Sequence, residues 1–347
     1  MVSTWSSGFP DDRLALATKQ PPTDEESIRI IRRIDNLYQT KISLHPLSNR
    51  TELRLIARQF GADWTITQNF SSGSAHDAVF IHDMIYRDHP EWFTPRERIY
   101  LKSIGRLAKS SAICLTSSQT EAQRISRLYP SLGQVHAVGL ASSPSLVSAS
   151  PKRPDIGNVR PGKYLLSVGR LNARKNIERL TSALWHNHII SPELPLIIVG
   201  STDGRQGSKC EALTEGLLVG AIRTIGNVSD AELSWLYTNC QAFVYPSLDE
   251  GFGLPPVEAR AMGAPVVVSD LQIFRETLGT EADSSAVAFC NPKDEADIAR
   301  AVKHQLILQP RIRTDGPAAD TWLDVVKRIR ETLVVNDAIV SQTGGGK

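Results

Sequence analysis

The sequence predicts an α/β protein with two doubly wound, parallel-sheet domains. Two observations lead to this prediction. In both halves of the chain, short apolar runs typical of buried strands alternate with amphipathic, helix-like segments. Between the halves, residues 141–162 are rich in Ser, Pro and Gly, which is typical of a linker. With 347 residues, the chain is long enough for two domains that each have a core.

The alternation also sets the expected domain boundaries. In the first half, apolar runs predict strands near residues 14–18, 64–67, 78–81, 112–116 and 135–138, and isoleucines at helical spacing predict a helix over 24–38. We therefore expect an N-terminal domain over 1–150, a linker over 151–162, a C-terminal domain over 163–315, a helix over 316–334 and a flexible tail over 335–347.

Composition excludes several classes of protein. The net charge of +2 does not suggest binding to bulk nucleic acid. No apolar run reaches the length of about 18 residues that a transmembrane helix needs, and the N-terminus does not resemble a secretory signal. The four cysteines are widely spaced and form no CxxC pair, which favours buried, reduced thiols in a cytoplasmic protein over a metal site.

Residues 249–267, DEGFGLPPVEARAMGAPVV, form the most informative stretch. Gly251 and Gly253 allow a ligand to approach the main chain closely, and the two prolines after them suit a loop that enters a helix over 256–262. The N–H groups at the start of such a helix attract anions. Glu250 and Glu258 frame the loop, as an acid/base pair or as acceptors for sugar hydroxyls.

Charged and polar residues follow several predicted strands. His82, Arg170 and Glu250 each come directly after an apolar run, and Lys175 lies near the next helix start. Ligands of open α/β sheets bind at the carboxyl ends of strands, and an arginine with a lysine suits two oxygens of a diphosphate. The alternative interpretations are surface cations, solvated loop acids and a buried structural histidine.

Other nucleotide and catalytic motifs are missing from the sequence. There is no G-x-G-x-x-G after a strand and no G-x-x-x-x-G-K-[ST], so dinucleotide and P-loop sites are disfavoured. A D-x-D pair that would hold a divalent metal on a diphosphate is absent, as is a G-x-S-x-G nucleophile motif.

The chain resembles the retaining nucleotide-sugar glycosyltransferases of family 4, also called group 1, and in particular mannosyl- and rhamnosyltransferases. The resemblance rests on SVGRLNARKNI, LIIVG, IRTIGNVSDAEL and YPSLDEGFGLPPVEARAMGAPVVVSD, in which Glu250 and Glu258 match an E-x7-E motif. In the first half, VFIHDMIYRDHPEWFTPRERIYLKS is similar to the family's His-Asp strand end and following helix. The resemblance implies the GT-B fold, in which two Rossmann-like domains face a cleft and a C-terminal helix crosses back to the first.

The resemblance also implies a role for each candidate residue. Glu258 would bind the ribose and Glu250 the hydroxyls of the donor sugar, while Arg170 and Lys175 would neutralise the leaving diphosphate in place of a metal. His82 would line the reaction centre. The remaining implied contacts to the donor are Gly169, Asn227, Val228, Gly251, Phe252, Gly253 and Leu254.

The function expected from the resemblance is retaining transfer of a hexosyl unit from a nucleotide diphosphate sugar to a glycan or lipid-linked acceptor, without a metal or other cofactor. A non-catalytic sugar-nucleotide-binding protein is the alternative, because the family's opening strand and Gly-rich loop are not found and the first domain looks about one strand–helix unit short. Another GT-B enzyme, such as a phosphorylase or epimerase, is a third interpretation. Basic residues after Pro95 fit either peripheral contact with the inner membrane face or a solvated helix: Arg96, Arg98, Lys102, Arg106 and Lys109.

Overall fold

The structure is a computed structural model that describes residues 1–344 except 19–33, 43, 75, 202–210, 280–285 and 309–319. The chain divides into two compact units. Unit 1 consists of Met1–Met84, Arg96–Ala141 and Asp320–Lys347, and unit 2 of Ile85–Pro95 and Ser142–Ala319. Each unit combines helices with parallel sheets, which confirms the predicted α/β class.

Unit 1 contains two parallel sheets in the part of the chain that the structure describes. Strands β1 (Ala15–Thr18) and β2 (Asn36–Gln39) pair with each other. The larger sheet has the order β3-β4-β5-β6. Its strands are β3 (Thr65–Gln68), β4 (Asp77–Ile81), β5 (Ile113–Thr116) and β6 (Val135–Ala137). Every residue of β4 and β5 is buried, as in a sheet covered on both faces.

The helices follow the alternation that the sequence predicts. Among the described residues up to 148, they include α1 (Val2–Gly8), α2 (His45–Ser48), a π-helical turn (Asn49–Leu53), α3 (Arg54–Phe60), α4 (Ile85–Asp88), α5 (Pro95–Leu101), α6 (Ser103–Ala108), α7 (Gln119–Leu128) and α8 (Pro144–Ser148). Those after residue 148 include α9 (Ile177–His186), α10 (Glu211–Val219), α11 (Asp230–Asn239), α12 (Leu254–Ala261), α13 (Gln272–Leu278), α14 (Glu295–Leu308) and α15 (Trp322–Gly344).

Helix α15 belongs to unit 1, although it lies late in the sequence. Its buried Val325, Val326 and Ile329 join the core that includes Phe80 of β4 and Leu115 of β5. The same helix is tied to the start of the chain, because the guanidinium of Arg330 forms two hydrogen bonds with Asp12, of 2.8 and 3.0 Å. The C-terminal helix therefore packs on the first domain, as the resemblance implied.

Unit 2 is built on one six-stranded parallel sheet with the order β12-β11-β10-β7-β8-β9. Its strands are β7 (Leu165–Val168), β8 (Leu196–Val199), β9 (Ile222–Ile225), β10 (Ala242–Tyr245), β11 (Val266–Ser269) and β12 (Val287–Cys290). The chain adds β8 and β9 on one side of β7, then returns to place β10 on the other side. The order reverses between β7 and β10, and such a switch point opens a ligand crevice at the carboxyl ends of the strands.

Alternating side chains of this sheet enter two cores. Leu166, Phe243 and Val266 point into one core, which also contains residues of α11, α12 and α13. Leu165 and Val244 point into the other, which contains residues of α9 and α14. Burial on both faces explains why these strands read as continuous apolar runs.

Several predicted boundaries are wrong. The isoleucine spacing predicted a helix over 24–38, but Leu37 pairs with Leu16 in the β1–β2 ladder; the part over 24–33 lies outside the described residues. The predicted linker packs into unit 2, where Ile156 and Val159 are buried despite their Ser/Pro/Gly-rich surroundings.

Two helix ends also differ from the prediction. Helix α15 continues to Gly344 rather than ending near 334, because no glycine or proline interrupts it before that point. Helix α12 begins at Leu254 rather than Pro256, because Gly253 adopts the left-handed conformation (φ 83°) and caps it.

Two further predictions concern burial and hydropathy. Cys114, Cys240 and Cys290 are buried, as expected, and form no disulfide with one another, while Cys210 lies outside the described residues. Across the described ranges, no helix has both the length and the apolar composition needed to cross a bilayer.

Candidate functional site

The loop after β10 turns sharply into α12 at the switch point of unit 2. Gly253 has φ 83°, and a Cβ at this position would lie 2.5 Å from Cε1 of Phe274. Only glycine accepts both the backbone conformation and this contact without strain. The first-turn N–H groups of α12 give this end of the helix a partial positive charge. The sequence predicted a loop that enters a helix at this position, on the basis of the same glycines.

Glu250 lies at the centre of a buried network in this loop. Its Oε1 accepts hydrogen bonds from Nζ of Lys175 (2.6 Å) and from the phenol of Tyr245 (3.0 Å). Its Oε2 accepts a bond of 2.8 Å from Nη1 of Arg174. Burial by itself would raise the pKa of the Glu250 carboxyl, but Lys175, Arg174 and the hydrogen bonds lower it to about 2. Glu250 is therefore a fixed anion between two cations.

The two cations come from the short loop between β7 and α9. Lys175 and Arg174 lie in a 3-10 turn, Ala173–Lys175, and the side chain of Asn172 caps this turn by accepting from the Lys175 N–H (3.2 Å). The next residue, Asn176, has φ 58° and donates to the carbonyls of Pro246 (3.0 Å) and Pro292 (2.7 Å). Asn176 thus fixes the β7 loop against the β10 loop.

The structure brings together some predicted residues and adds others. Lys175 and Glu250, which the sequence placed near the ends of different strands, are in direct contact. Arg170 is exposed after Gly169, and in the described part of unit 2 it forms no ion pair with Glu250. Sequence reasoning missed Arg174 and Tyr245. Arg174 stood in the quoted stretch NARKN, and Tyr245 ends β10 directly before the loop, which was the available signal.

Glu258 occupies α12, half-buried, and accepts a hydrogen bond of 3.1 Å from the phenol of Tyr237 on α11. Burial raises the pKa of its carboxyl, and the bond from Tyr237 only partly offsets this. Asn227 is exposed and Val228 half-buried in the turn between β9 and α11, where Ser229 and Glu232 form a capping box. These positions are compatible with the implied contacts to a nucleotide, which stay predictions.

His82 lies in unit 1, directly after β4. Its N–H donates to Oδ1 of Asn69 (3.2 Å), and its Nε2 is 3.4 Å from Oε1 of Gln68. The backbone two residues after His82 is fixed by the buried carboxylate of Glu121, which accepts a hydrogen bond of 2.7 Å from the N–H of Met84. Although His82 is exposed overall, desolvation of its ring lowers the pKa of the imidazole, and Asp83 partly offsets this effect.

The chemistry available at the switch point is that of anion and hydroxyl binding. It offers two adjacent cations, a helix N-terminus and two carboxylates held by phenols. Over the residues that the structure describes, no cluster of three or more His, Cys, Asp or Glu side chains is arranged to hold a metal ion.

Residues 150–315, which include this whole loop constellation, match the family described as "Glycosyl transferases group 1". The chain contains a group 1 glycosyltransferase domain. The chain is 29% identical over 231 residues to a protein named O-antigen chain mannosyltransferase RfbU from Salmonella typhimurium. The alignment covers 66% of this chain and 60% of that relative.

A second relative of the chain is O-antigen chain mannosyltransferase B from Escherichia coli, with 32% identity over 225 residues, which covers 61% of this chain and 57% of the relative. The chain thus spans about three fifths of the length of these curated relatives. Two solved structures share the fold. Sucrose-phosphate synthase from Thermosynechococcus elongatus has a TM-score of 0.63 at 19% identity, with 99% of this chain and 90% of that chain covered.

The other structure is WaaG, a glycosyltransferase involved in lipopolysaccharide biosynthesis, with a TM-score of 0.65 at 14% identity and coverage of 95% and 94%. These two structures and the two α/β units with parallel sheets agree with the predicted GT-B fold.

Proposed function

We propose that this protein is a retaining glycosyltransferase that moves a hexosyl unit from a nucleotide diphosphate sugar to a glycan or lipid-linked acceptor in cell-surface polysaccharide synthesis. Mannose is the preferred hexose, because the relatives at 29% and 32% identity are named mannosyltransferases, and rhamnose is the second choice. The observation that carries the proposal is the contact of Glu250 with Lys175 and Arg174 at the switch point.

The positively charged side chains near the end of β7 support a site that stabilises the leaving diphosphate. Breaking the sugar–phosphate bond builds negative charge on the leaving phosphate, and preorganised cations in a water-poor site stabilise that charge. Lys175 is 10% exposed and Arg174 21%, so both are shielded but reachable. Arg170, exposed at the end of β7, adds a third cation at the same sheet edge. We propose that Lys175 and Arg170 take the place of a metal ion at the diphosphate.

The carboxylates support hydroxyl binding rather than acid/base catalysis. A carboxylate with a pKa of about 2 is a weak base, so Glu250 is unsuited to remove a proton near pH 7. A charged carboxylate is, however, a strong acceptor for a sugar hydroxyl. We assign Glu250 to the donor sugar and Glu258 to the ribose. In the proposed retaining reaction no protein nucleophile is needed, because the leaving phosphate helps to deprotonate the acceptor hydroxyl.

The test is consumption of GDP-mannose, UDP-glucose and dTDP-rhamnose by the purified protein with polysaccharide and lipid-linked acceptors. Glu250→Ala and Lys175→Ala are assayed beside the wild type, and product anomeric configuration is read by NMR. We expect turnover of one donor with retention, and strongly reduced turnover in both variants. Undiminished activity in both variants overturns the site assignment, and an inverted product overturns the retaining mechanism.

The alternative, a non-catalytic sugar-nucleotide-binding protein, gives a different result. Calorimetry would then detect binding of a nucleotide sugar to the wild type, while no acceptor supports its consumption. Lys175→Ala would still weaken binding, because the same cations hold the diphosphate.

We also propose peripheral contact of unit 1 with the cytoplasmic face of the inner membrane, where a lipid-linked acceptor would be found. Five basic side chains on and beside α5 and α6 are exposed: Arg96, Arg98, Lys102, Arg106 and Lys109. Apolar side chains are exposed beside them. Ile99 is 76% exposed, and Leu44 and Leu47 are brought close by the contact of His45 Nδ1 with Tyr100 OH at 2.9 Å.

A surface with both basic and apolar groups suits an anionic lipid interface. Sedimentation with vesicles of neutral or anionic phospholipid, at two salt concentrations, tests this. We expect binding to anionic vesicles that weakens with salt and is lost in Arg96→Ser/Arg98→Ser. Equal sedimentation with both lipids, or with none, indicates an ordinary solvated helix.

A further inference from the structure

The two oxygens of Glu250 have different hydrogen-bonding capacity left. A carboxylate oxygen accepts about two hydrogen bonds. Oε1 already accepts from Nζ of Lys175 and from the phenol of Tyr245, so it is saturated. Oε2 accepts from Nη1 of Arg174, which leaves it capacity for one more donor. A sugar hydroxyl that binds Glu250 without breaking this network must therefore donate to Oε2.

The Arg174 side of the network is also the more open one. The side chain of Arg174 is 21% exposed, against 10% for Lys175 and 7% for Glu250. These exposures favour approach of a ligand to Oε2 from the Arg174 side, because Lys175 and the buried Tyr245 are the less accessible partners.

Arg174 holds the loop at consecutive positions. Its carbonyl accepts from the N–H of Leu248 (2.8 Å), and its Nη1 contacts the carbonyl of Asp249 (3.4 Å) as well as Glu250. The planar guanidinium therefore fixes both the loop backbone and the direction of Oε2. Lysine has a single flexible point of charge and holds only part of this geometry.

We propose that Arg174 is a positioning residue that aims Oε2 of Glu250 at one hydroxyl of the donor hexose and so sets the hydroxyl specificity of the donor site. This inference rests on the proposed function. It adds a residue that neither the E-x7-E motif nor the pair Arg170 and Lys175 includes. Lys175 keeps Glu250 charged when Arg174 is absent. Removal of Arg174 therefore changes the direction of Oε2 rather than the charge of the carboxylate.

The test compares Arg174→Ala and Arg174→Lys with the wild type on GDP-mannose, its 2-, 3-, 4- and 6-deoxy forms, and GDP alone. Arg300→Ala, which removes a surface arginine paired with Asp297 in the same unit, is the matched control. Thermal unfolding verifies that each variant is folded. If another nucleotide hexose is the better donor in the activity screen, its deoxy series replaces that of GDP-mannose.

In the wild type, we expect one deoxy position to lower kcat/KM by about 10- to 100-fold, the usual effect of losing a hydrogen bond to a charged group. In Arg174→Ala, we expect kcat/KM for the intact donor to fall to the value that the wild type shows with that deoxy donor. The ratio of kcat/KM between the intact and the deoxy donor should then be below about 3-fold, at that hydroxyl position only. GDP affinity should change by less than about 3-fold. Arg174→Lys should recover part of the penalty, and Arg300→Ala should match the wild type.

Two results overturn the inference while the proposed function stands. One is an unchanged deoxy penalty in Arg174→Ala. The other is an equal loss of GDP and donor affinity, which makes Arg174 a simple diphosphate cation. A wild type that neither binds nor consumes any nucleotide hexose overturns the proposed function itself, and with it this inference.

Discussion

The phenol of Tyr237 donates a hydrogen bond of 3.1 Å to Oε2 of Glu258, joining α11 to α12. Burial raises the pKa of both groups, so each resists carrying a charge. The bond lowers the pKa of the carboxyl by less than burial raises it. Glu258 is thus held ready to accept hydroxyl groups, at a cost in stability when it is ionised.

The first prediction follows from this cost. A folded-state pKa above the unfolded value stabilises the protein below the unfolded pKa, and that stabilisation is lost as pH rises through the folded pKa. At pH 7.5 Glu258→Gln should therefore raise the unfolding temperature while weakening GDP or UDP binding by about 10-fold. Calorimetry and thermal unfolding measure the two effects. Glu276→Gln, an exposed acid on α13, is the control for charge; if Glu258→Gln lowers stability and spares binding, the ribose assignment is wrong.

The second prediction concerns Glu250, whose pKa is shifted in the opposite direction. Its pKa falls from 4.5 to about 2, so its stabilisation is present above the unfolded pKa and is lost as pH falls from about 4.5 towards 2. Glu250→Gln should cost about 3 kcal/mol of unfolding free energy at pH 7, and the difference from wild type should shrink below pH 4.5. Urea unfolding from pH 3 to 7 tests this. A difference that stays constant with pH contradicts an ionised Glu250 in the folded state.

A third prediction tests the turn at Gly253. Gly253→Ala places a Cβ within 2.5 Å of Phe274 at a φ of 83°, so the turn must shift. We expect a loss of about 1–3 kcal/mol of unfolding free energy, with weaker donor binding. Gly226→Ala, where a Cβ meets open space, is the control for unfolding alone. Equal stability of the two variants would mean that the α12 cap tolerates a side chain.

The fourth prediction is metal independence. Because Lys175 and Arg170 are proposed to supply positive charge at the diphosphate position, chelation should leave the transfer rate unchanged, and added Mg²⁺ or Mn²⁺ should not raise it. Donor consumption with EDTA measures this, beside Lys175→Ala as the variant expected to be slow. A loss of about 10-fold or more with EDTA, restored by one metal, would show that the cations do not suffice.

The fifth prediction is that His82 of unit 1 contributes to sugar transfer but not to nucleotide binding. His82→Ala should slow transfer by at least about 10-fold while GDP affinity stays unchanged. Because the pKa of His82 lies below 6.5, the imidazole stays neutral to a lower pH than an ordinary histidine, and the wild-type rate should be flat from pH 8 to 6.5. His186→Ala, an exposed histidine of unit 2, is the control. A rate that already falls between pH 8 and 7 argues against neutral His82 as the active form.

Much of the fold could be predicted from the sequence because local patterns decide it. Strands such as β4 and β10 are buried on both faces, so their apolar runs stand out, and their order along the chain implies parallel pairing. The loop around Glu250 was recognisable because glycine and proline have positional meaning. Strand β2 was missed because pairing with β1 overrides a local helical spacing.

The partners of the candidate site residues were harder to predict. Arg174 and Glu250 are separated by 76 positions, and Tyr237 and Glu258 by 21. Which of two adjacent cations reaches a carboxylate depends on the exact turn between β7 and α9, and no sequence spacing reports it. The same holds for Ile156 and Val159, whose burial depends on core residues contributed from elsewhere in the chain.

The bond between Arg330 and Asp12 spans 318 positions and has a consequence for synthesis of the protein. On the ribosome, strands β1 to β6 of unit 1 and the whole of unit 2 emerge before Val325, Val326 and Ile329 of α15 do. Until then, Phe80 and Leu115 lack some of the apolar side chains that bury them in the folded protein. Although domains usually fold in N-to-C order, we infer that unit 2 matures first here and that the N-terminal sheet is completed last.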